Sequence, residues 1–185
     1  MNYRLVMCDL DGTLLTENKR ITSLSRSTIA KLKAKGIAFG IATGRPTQSV
    51  LRTLHEEQIL PYVDVVVTNN GVTWLDRVDD VESETYTLKM SSAIEIFSKL
   101  KHLDLSFAIY DQRYLYTNKI NSGIERLLGF HKLEPFICDI SKIDKLEIHK
   151  FILSIDETMM SDLVSLASTF PTVDYHGFKT QADLY

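Results

Sequence analysis

The sequence predicts an α/β fold, with a Rossmann-like parallel sheet in residues 1–79 and an α+β domain in residues 80–185. The first observation is that apolar segments typical of buried strands alternate with amphipathic helical segments up to Leu75. The second is that the pattern changes after roughly Asp80, where short strands are joined by hairpins and backed by helices. Parallel strands end at one edge of a sheet, so the polar residues that follow them are the candidate functional residues.

Composition limits the class of protein. Of the 185 residues, 44% are hydrophobic and 24% are charged, which is typical of a soluble globular protein. A net charge of -3 provides no basic surface for nucleic acid, so we expect a small anionic ligand instead. Arg4 and Asp9 interrupt the first apolar stretch, and we expect no membrane segment. Cys8 and Cys138 are too few for a disulfide framework, which favours a cytoplasmic location.

The first predicted strand leads directly into an acidic loop. Leu5–Cys8 is an apolar run typical of a strand covered on both faces, and Asp9-Leu10-Asp11-Gly12-Thr13-Leu14 follows it. Alternation along an extended segment would place Asp9 and Asp11 on the same side of the chain. Gly12 permits a sharp turn that exposes backbone amides. We therefore expect a single anion to reach both acids.

This pair of carboxylates has the chemistry needed for phosphoryl transfer. Asp9 is the expected nucleophile, because a carboxylate can accept a phosphoryl group and divide one displacement into two. Asp11 is the expected general acid and base, with a pKa raised by the neighbouring negative charge. Both acids are candidate ligands for Mg²⁺, which prefers oxygen donors. The alternative is an ordinary turn, since Asp and Gly are common turn residues.

A helix, a second strand and a second helix follow the acidic loop. The pattern predicts a helix over Ile21–Lys35 that ends at Gly36, and then a strand over Ile37–Thr43. Thr43-Gly44-Arg45 ends that strand, and Pro46 suits the first turn of the next helix. The Thr43 hydroxyl can donate to a phosphoryl oxygen beside the exposed amides of the helix start. A plain helix cap is the alternative.

A third strand and a hairpin complete the first part. Val63–Thr68 is the predicted strand, and Asn69-Asn70-Gly71 predicts a tight turn before Val72–Leu75. Asn69 lies at a strand end and could contact substrate, but Asn-Gly is primarily turn chemistry. The turn role is the favoured one.

The second part is predicted to contain helices and hairpin-connected strands. Its predicted elements are a helix over Ser91–Lys101, strands over Leu105–Tyr110 and Tyr114–Thr117, a helix over Ile120–Leu128, a strand over Lys150–Ile155, a helix over Thr158–Thr169 and closing strands within Val173–Tyr185. Three tyrosines, Tyr110, Tyr114 and Tyr116, could line a sugar site. Alternating aromatic residues in neighbouring strands are more often sheet packing, which is the favoured interpretation.

These motifs resemble the haloacid dehalogenase (HAD) superfamily, in which Asp-x-Asp-Gly-Thr is the first motif and a Thr or Ser ends the second strand. Ile41-Ala42-Thr43-Gly44-Arg45 followed by Asn69-Asn70-Gly71 is similar to the Cof-type sugar-phosphatase branch, which carries a large inserted cap. The resemblance implies that Asp9 is the nucleophile, that Asp11 is the acid and base and binds Mg²⁺ through its backbone oxygen, and that Thr43 contacts phosphate. The expected phosphate-binding set is Leu10, Gly12, Thr43, Gly44, Arg45 and Asn69.

Two features of the family pattern are not recognisable in the sequence: a lysine after the cap and a Gly-Asp-x-x-Asn-Asp-like segment that completes the metal site. Lys150 and Lys179 are weak substitutes for the lysine, and Asp79-Asp80 is expected to be a solvated acidic linker to the cap. The chain is therefore expected to stop before the return into the core. The first strand would then lie at the sheet edge, and we expect self-association or a separate C-terminal fragment to cover it.

Three functions are compatible with the sequence. The leading hypothesis is a Mg²⁺-dependent phosphatase for a small phosphorylated metabolite, such as a sugar phosphate or a flavin or pyridoxal phosphate precursor. The alternative is a catalytically lapsed binding or assembly protein, which the unrecognised lysine and acids favour. A receiver-type phosphorylation switch also combines acids, Thr and Lys on a parallel sheet, but it gives no reason for a long cap.

Overall fold

A computed structural model describes residues 3–111, 113–145, 147–170 and 184–185. The chain forms two compact units, Met1–Tyr86 and Thr87–Tyr185. The boundary lies later than the predicted division after residue 79, because Val81–Glu84 pairs with Thr73–Asp76 and extends the first sheet.

The first unit is built on a five-stranded mixed sheet. Its elements are β1 (Leu5–Asp9), α1 (Ser23–Ala34), β2 (Ala38–Ala42), α2 (Thr47–Glu56), β3 (Val65–Thr68), β4 (Thr73–Asp76) and β5 (Val81–Glu84). The strands lie in the order β1-β2-β3-β4-β5, with β1, β2 and β3 parallel and the last two antiparallel. The predicted α/β fold is confirmed, and β1 is an edge strand among the described residues.

Helix α1 begins and ends, and helix α2 begins, at residues suited to those positions. Thr22 caps α1, where its hydroxyl accepts a hydrogen bond of 3.0 Å from the amide of Ser25. Gly36 follows α1 with a φ of +70°, a backbone conformation that favours glycine. Pro46 directly precedes α2 with a φ of -61°. The two helices therefore lie close to their predicted positions.

The core of the first unit lies on one face of its sheet. Its buried members are Leu10, Leu14, Leu15, Ile21, Ile29, Phe39, Ile41, Val50, Leu54, Ile59, Val63 and Val66. On β1, Val6 and Cys8 pack against this core, whereas Leu5 and Met7 at the alternate positions are 44% and 39% exposed. The prediction that Leu5–Cys8 is covered on both faces is wrong for the described residues, because α1 and α2 contribute to the same core.

Glu57, a buried carboxylate, anchors the segment after the acidic loop. It accepts a hydrogen bond of 2.9 Å from the amide of Ile21 and pairs with Arg20 at 2.7 Å and with Arg26 at 3.2 Å. Glu57 follows α2 directly, and Ile21 precedes α1. The three contacts fasten the start of α1 to the end of α2.

A second buried carboxylate, Asp64, anchors β2. It accepts a hydrogen bond of 3.0 Å from the amide of Phe39 and pairs with Lys33 of α1. Burial raises the pKa of Asp64, but the hydrogen bonds from Lys33 and Phe39 outweigh it, and the pKa lies below its ordinary value.

The second unit contains a four-stranded sheet and a separate pair of short strands. Its elements are β6 (Leu88–Lys89), α3 (Met90–Leu100), β7 (Ser106–Tyr110), β8 (Tyr114–Thr117), α4 (Ser122–His131), β9 (Glu134–Ile137), β10 (Glu147–Ile148), β11 (Phe151–Ser154) and α5 (Met160–Ala167). The four strands lie in the order β11-β7-β8-β9, and β10 pairs with β6. Strands β5, β6, β9 and β10 were not predicted.

Apolar clusters form on both faces of the four-stranded sheet. Phe107, Ile109 and Leu153 belong to a cluster that includes residues of α3 and α5. Ala108, Leu115 and Ile152 belong to a second cluster that includes residues of α4. These strand positions alternate, as expected for side chains on opposite faces of a sheet.

Most of the predicted closing strands, Val173–Tyr185, lie outside the described residues. Leu184 forms an antiparallel bridge with Ser154, and the backbone of Tyr185 exchanges hydrogen bonds of 2.9 and 2.8 Å with Leu153. Across the described residues, no helix has the length and hydrophobicity needed to span a bilayer.

Candidate active site

Three loops of the first unit begin at the same edge of its sheet. Asp9, the last residue of β1, is paired in register with Ala42, the last residue of β2. Ala42 is paired in turn with Val67 of β3, and the amide of Thr43 donates to the Val67 carbonyl at 2.9 Å. The acidic loop, the Thr43–Arg45 segment and the Asn69–Gly71 segment therefore start side by side.

The acidic loop folds back on its own strand end. The amide of Leu14 donates to the carbonyl of Asp9 at 3.2 Å, and the amide of Leu15 donates to the carbonyl of Leu10 at 2.8 Å. Gly12 has a φ of +75° and open space where a Cβ would lie, so glycine is required there by conformation and not by packing. The side chain of Leu10 is fully buried, so any contact of Leu10 with phosphate would use its backbone.

The carboxylate of Asp9 is exposed and held by its own loop. Asp9 is exposed to solvent, and the hydroxyl of Thr13 donates to its Oδ2 at 3.1 Å. One hydrogen bond from the same loop restricts the side chain without covering it. An exposed and oriented carboxylate at a strand end is suited to nucleophilic attack.

Asp11 forms an ion pair with Arg45 that the sequence did not predict. Arg45 donates from Nε to Oδ2 at 2.7 Å and from Nη2 to Oδ1 at 2.6 Å, and Lys19 lies 3.2 Å from Oδ1. Such a bidentate geometry is the strong form of a carboxylate–guanidinium contact. The signal available in the sequence was that Asp11 and Arg45 follow the ends of neighbouring parallel strands.

The two cations also change the expected charge state of Asp11. Burial raises the pKa of Asp11, but the hydrogen bonds and charges of Arg45 and Lys19 outweigh it and lower the pKa below its ordinary value. The expectation of a raised pKa is therefore wrong for this arrangement. The reason is that Arg45 and Lys19 both bind the carboxylate of Asp11, and their effect outweighs that of the neighbouring acid.

Arg45 is buried, with only 7% of its surface exposed. Besides its bonds to Asp11, its Nη1 donates to the hydroxyl of Thr53 at 3.1 Å, and that hydroxyl donates to the carbonyl of Ser49 at 2.9 Å. The guanidinium is thus held between the acidic loop and α2. A direct contact of Arg45 with phosphate stays a prediction.

Thr43 and Gly44 join the second loop to the third. The amide of Arg45 donates to the hydroxyl of Thr43 at 3.3 Å, which leaves the hydroxyl proton of Thr43 able to donate to an anion. A Cβ on Gly44 would lie 2.4 Å from Oδ1 of Asn70, so a larger residue would displace that side chain. The amide of Asn70 donates to the carbonyl of Thr43 at 3.3 Å.

Asn69 takes the turn role that was favoured. Its side chain is buried and donates from Nδ2 to the hydroxyl of Thr73 at 3.1 Å, while its amide donates to the carbonyl of Arg45 at 3.0 Å. Its φ of 53° is left-handed, as turn asparagines tolerate. The predicted hairpin is confirmed by the pairing of Thr68 with Thr73.

The described oxygen donors suit magnesium better than a softer metal. No group of three or more His, Cys, Asp or Glu side chains able to hold a metal occurs in the described part of the chain. The exposed carboxylate of Asp9 is a suitable oxygen ligand, whereas both carboxylate oxygens of Asp11 contact cations. Mg²⁺ needs only one or two protein carboxylates, because water and phosphate complete its shell.

The other candidate residues belong to other elements of the chain or lie outside the described residues. Asp79 and Asp80 are exposed in the connection between β4 and β5, so they belong to a hairpin of the first unit and do not link it to the second. Lys150 belongs to the second unit, where burial lowers its pKa. Lys179 lies outside the described residues.

The three tyrosines of the second unit take part in aromatic packing. Tyr110 makes an edge-to-face contact with His131, with centroids 5.2 Å apart, and its burial raises its pKa. Tyr114 and Tyr116 lie 5.8 and 5.2 Å from the ring of Phe136. These contacts agree with the favoured interpretation of sheet packing.

Comparison with known proteins identifies the family. The model of the haloacid dehalogenase-like hydrolases matches residues 6–177. A relative from Streptococcus pyogenes serotype M6, which carries the name "Putative phosphatase", is 39% identical over 127 residues, or 66% of this chain and 46% of the relative. The chain spans about half the length of the curated relatives it matches.

Solved structures share the fold. A haloacid dehalogenase-like hydrolase from Bacteroides thetaiotaomicron matches with a TM-score of 0.87 at 19% identity, over 99% of this chain and 70% of the other. A sugar phosphatase of HAD subclass IIB matches with a TM-score of 0.68 at 19% identity, over 89% of this chain and 63% of the other. Because the family model covers most of its length, this chain belongs to the haloacid dehalogenase-like hydrolases, and its motifs resemble those of the Cof type.

Proposed function

We propose that the protein is a Mg²⁺-dependent phosphatase that hydrolyses a small phosphorylated metabolite through an aspartyl-phosphate on Asp9. The observation that carries this proposal is the exposed carboxylate of Asp9, held by Thr13 at the sheet edge where the Thr43–Arg45 loop also begins. Phosphate sites in open α/β sheets lie at such an edge.

The first step is an in-line displacement at phosphorus. A carboxylate oxygen of Asp9 forms a bond to phosphorus while the bond from phosphorus to the ester oxygen breaks. The leaving alkoxide takes a proton from Asp11 and departs as an alcohol. The products of this step are the alcohol, the Asp9 acyl phosphate and the Asp11 carboxylate.

The second step restores the enzyme. Asp11 removes a proton from water, the resulting hydroxide attacks phosphorus, and Asp9 leaves as a carboxylate with release of inorganic phosphate. Asp11 must be protonated when the cycle starts, although Arg45 and Lys19 lower its pKa in the free protein. The negative charge of a bound phosphate would raise that pKa and compete for the two cations.

The chain offers several donors for phosphate oxygens. The hydroxyl of Thr43 and the amides of Leu10, Gly12 and Gly44 lie in the two loops that begin at the ends of β1 and β2. Asp9 and the backbone oxygen of Asp11 would hold Mg²⁺. When bound, Mg²⁺ would neutralise the charge between the carboxylates and the phosphoryl group.

The proposed substrate class is a small phosphate monoester. The sugar phosphatase among the structural neighbours makes sugar phosphates the first compounds to test, followed by flavin and pyridoxal phosphate precursors. A net charge of -3 supports a small-molecule substrate over nucleic acid. We also propose a cytoplasmic location, which the small number of cysteines supports.

The outer edge of β1 is a proposed contact surface for more protein. Leu5 and Met7 are partly exposed, and β1 pairs with β2 as the terminal strand of the described sheet. Unpaired strand edges readily bind further strands. We propose that a second copy of the chain, or a C-terminal fragment, covers this edge.

Hydrolysis of an aryl phosphate tests the proposed function. The chain should release phosphate in the presence of Mg²⁺, and Asp9→Asn should reduce the rate by a factor of about 10³ or more, because it removes the nucleophile. Asp79→Asn is the matched control, since Asp79 is an exposed carboxylate of the same unit. Equal rates for the wild type and Asp9→Asn would refute the assignment of the nucleophile.

A version extended beyond Tyr185 belongs in the same assay, because activity found only there would show that further residues are needed. A binding or assembly protein without turnover has no specific feature in its favour among the described residues, since the Asp, Thr and Arg side chains of both loops are present at one sheet edge.

A further inference from the structure

Arg45 is held from two sides by different elements. Its Nε and Nη2 atoms donate to the carboxylate of Asp11 at 2.7 and 2.6 Å, and its Nη1 donates to the hydroxyl of Thr53 at 3.1 Å. Thr53 lies in α2, away from the motifs that mark the site. We propose that Thr53 is a positioning residue, which acts through Arg45 to fix the orientation of the Asp11 carboxylate. This inference rests on the proposed function of Asp11 in phosphoryl transfer.

The hydroxyl of Thr53 makes two bonds with different requirements. It accepts from Nη1 of Arg45, and it donates to the carbonyl of Ser49 at 2.9 Å. A hydroxyl can accept and donate at the same time, which a methyl group cannot do. The carbonyl of Ser49 belongs to the backbone of α2, so the helix itself sets the direction of the Thr53 lone pairs.

The third contact of the guanidinium fixes its plane. Arg45 is 7% exposed, so each of its donors needs a partner inside the protein. Without the Thr53 hydroxyl, Nη1 would lose an acceptor, and the guanidinium could turn away from the position that suits both oxygens of Asp11. Lys19 also contacts Asp11, but its side chain is 54% exposed, so it restricts the carboxylate less.

A purely local role for the Thr53 hydroxyl can be tested separately. Thr28 of α1 donates to the carbonyl of Leu24 at 2.8 Å, four residues earlier, which is the same helix contact that Thr53 makes to Ser49. Thr28 is exposed on a different helix. Thr53→Val removes both the contact with Arg45 and a hydrogen bond to the helix backbone, whereas Thr28→Val removes only a hydrogen bond of the second kind. Comparing the two variants therefore isolates the effect of the Arg45 contact.

The direct readout is the Nε–H signal of Arg45 in ¹H–¹⁵N NMR spectra of the full chain without substrate. We expect Thr53→Val to speed the exchange of this proton with solvent by about 10-fold, the effect of one lost hydrogen bond to a charged group. Thr53→Ser keeps the hydroxyl and should restore the wild-type rate. Thr28→Val should also leave the rate unchanged.

The second readout is turnover of an aryl phosphate with Mg²⁺. Thr53→Val should lower kcat by about 10-fold with little change in KM, and Thr53→Ser should restore it. The proposal is overturned if Thr53→Val leaves the exchange rate of the Arg45 Nε proton unchanged, or if Thr28→Val changes that rate equally. If Thr53→Val fails to fold, Thr53→Ala replaces it in both measurements. The NMR measurement does not require activity. A lack of turnover would therefore refute the proposed function and leave the positioning role of Thr53 to be decided by NMR.

Discussion

The two units of the chain bury different kinds of side chain. In the first unit, one arginine and two acidic residues, Arg45, Glu57 and Asp64, are 7%, 4% and 5% exposed. In the described part of the second unit, Lys150 is only partly buried, no Asp, Glu, Lys or Arg is as fully buried as these three residues, and apolar clusters fill both faces of the sheet. The difference shows that the first unit uses buried charged side chains to join separate segments: Arg45 joins the acidic loop to α2, Glu57 joins α1 to α2, and Asp64 joins the end of α1 to β2.

Buried charges are a costly way to stabilise a fold. Removing a charged group from water costs several kcal/mol, which pairing only partly offsets, and apolar side chains of similar size often serve stability as well or better. Glu57 and Asp64 each accept a backbone amide hydrogen bond as well as an ion pair. We infer that these residues fix the position of backbone segments, a task that an apolar residue cannot perform.

The largest expected effect on stability comes from removing a core side chain of the second unit. Phe107 is fully buried and packs against Phe97 and Phe151, with centroids 5.2 and 6.3 Å apart. Phe107→Ala should lower the free energy of unfolding by about 4 kcal/mol, measured by urea denaturation with far-UV circular dichroism. Phe136, which is 47% exposed, provides the control, and Phe136→Ala should cost about 1 kcal/mol. Equal losses would mean that Phe107 is not a core residue.

The next effect should come from the buried carboxylate of the first unit. Glu57→Ala should cost about 3 kcal/mol, because it leaves two arginines and the amide of Ile21 without their partner. The fluorescence of Trp74, the single tryptophan of the chain and a residue of β4, reports this unfolding. Glu82→Ala removes an exposed carboxylate of the same unit, in β5, and should cost no more than about 0.5 kcal/mol. A Glu57→Ala loss as small as that of Glu82→Ala would contradict the anchoring role.

A smaller and pH-dependent effect is expected at Asp64. The pKa of Asp64 is lower in the folded protein than in the unfolded chain, where it is about 4. The ionised side chain therefore stabilises the fold above pH 4 or so, and this stabilisation is lost as the pH falls through the pKa of the folded protein. Asp64→Asn should therefore cost about 2 kcal/mol at pH 7, and this gap from the wild type should narrow below pH 4 or so. Urea denaturation followed by Trp74 fluorescence from pH 7 to about pH 2 measures the gap. A difference in the free energy of unfolding that does not change with pH would show that the charge of Asp64 does not stabilise the fold.

The smallest expected effect concerns the edge of β1. Leu5→Lys places a charge on the partly exposed edge strand and should weaken self-association without unfolding the chain. Sedimentation velocity over a range of protein concentrations measures this change, with Leu24→Lys in α1 as the control at another exposed leucine. A wild-type chain that stays monomeric at high concentration would count against self-association.

The sequence predicted the framework of the first unit because its signals are local. Apolar runs mark β1, β2 and β3, and the Asn-Asn-Gly segment marks the hairpin from Thr68 to Thr73. The contact between Asp11 and Arg45 joins residues far apart in sequence, so no local pattern encodes it. The same applies to Thr53, which stands in α2 as an ordinary helix residue until the fold places it beside Arg45.

The strands that were missed are short, polar or proline-containing. The strand β9 contains Pro135 and lies at a sheet edge, where proline is tolerated but weakens a strand prediction. The strand β5 has glutamate at two of its four positions, and glutamate is depleted in strands. The two-residue strands β6 and β10 depend on each other for pairing across the second unit.

The most direct test of the account is to trap the covalent intermediate. The full chain is mixed with excess aryl phosphate and Mg²⁺, quenched in acid during turnover and digested, and the peptides are sequenced by mass spectrometry. We expect one phosphoryl group on Asp9 of the wild-type chain and none on the Asp9→Asn variant. Phosphate release accompanied by a phosphoryl group on a different residue, or labelling that survives in Asp9→Asn, would contradict it.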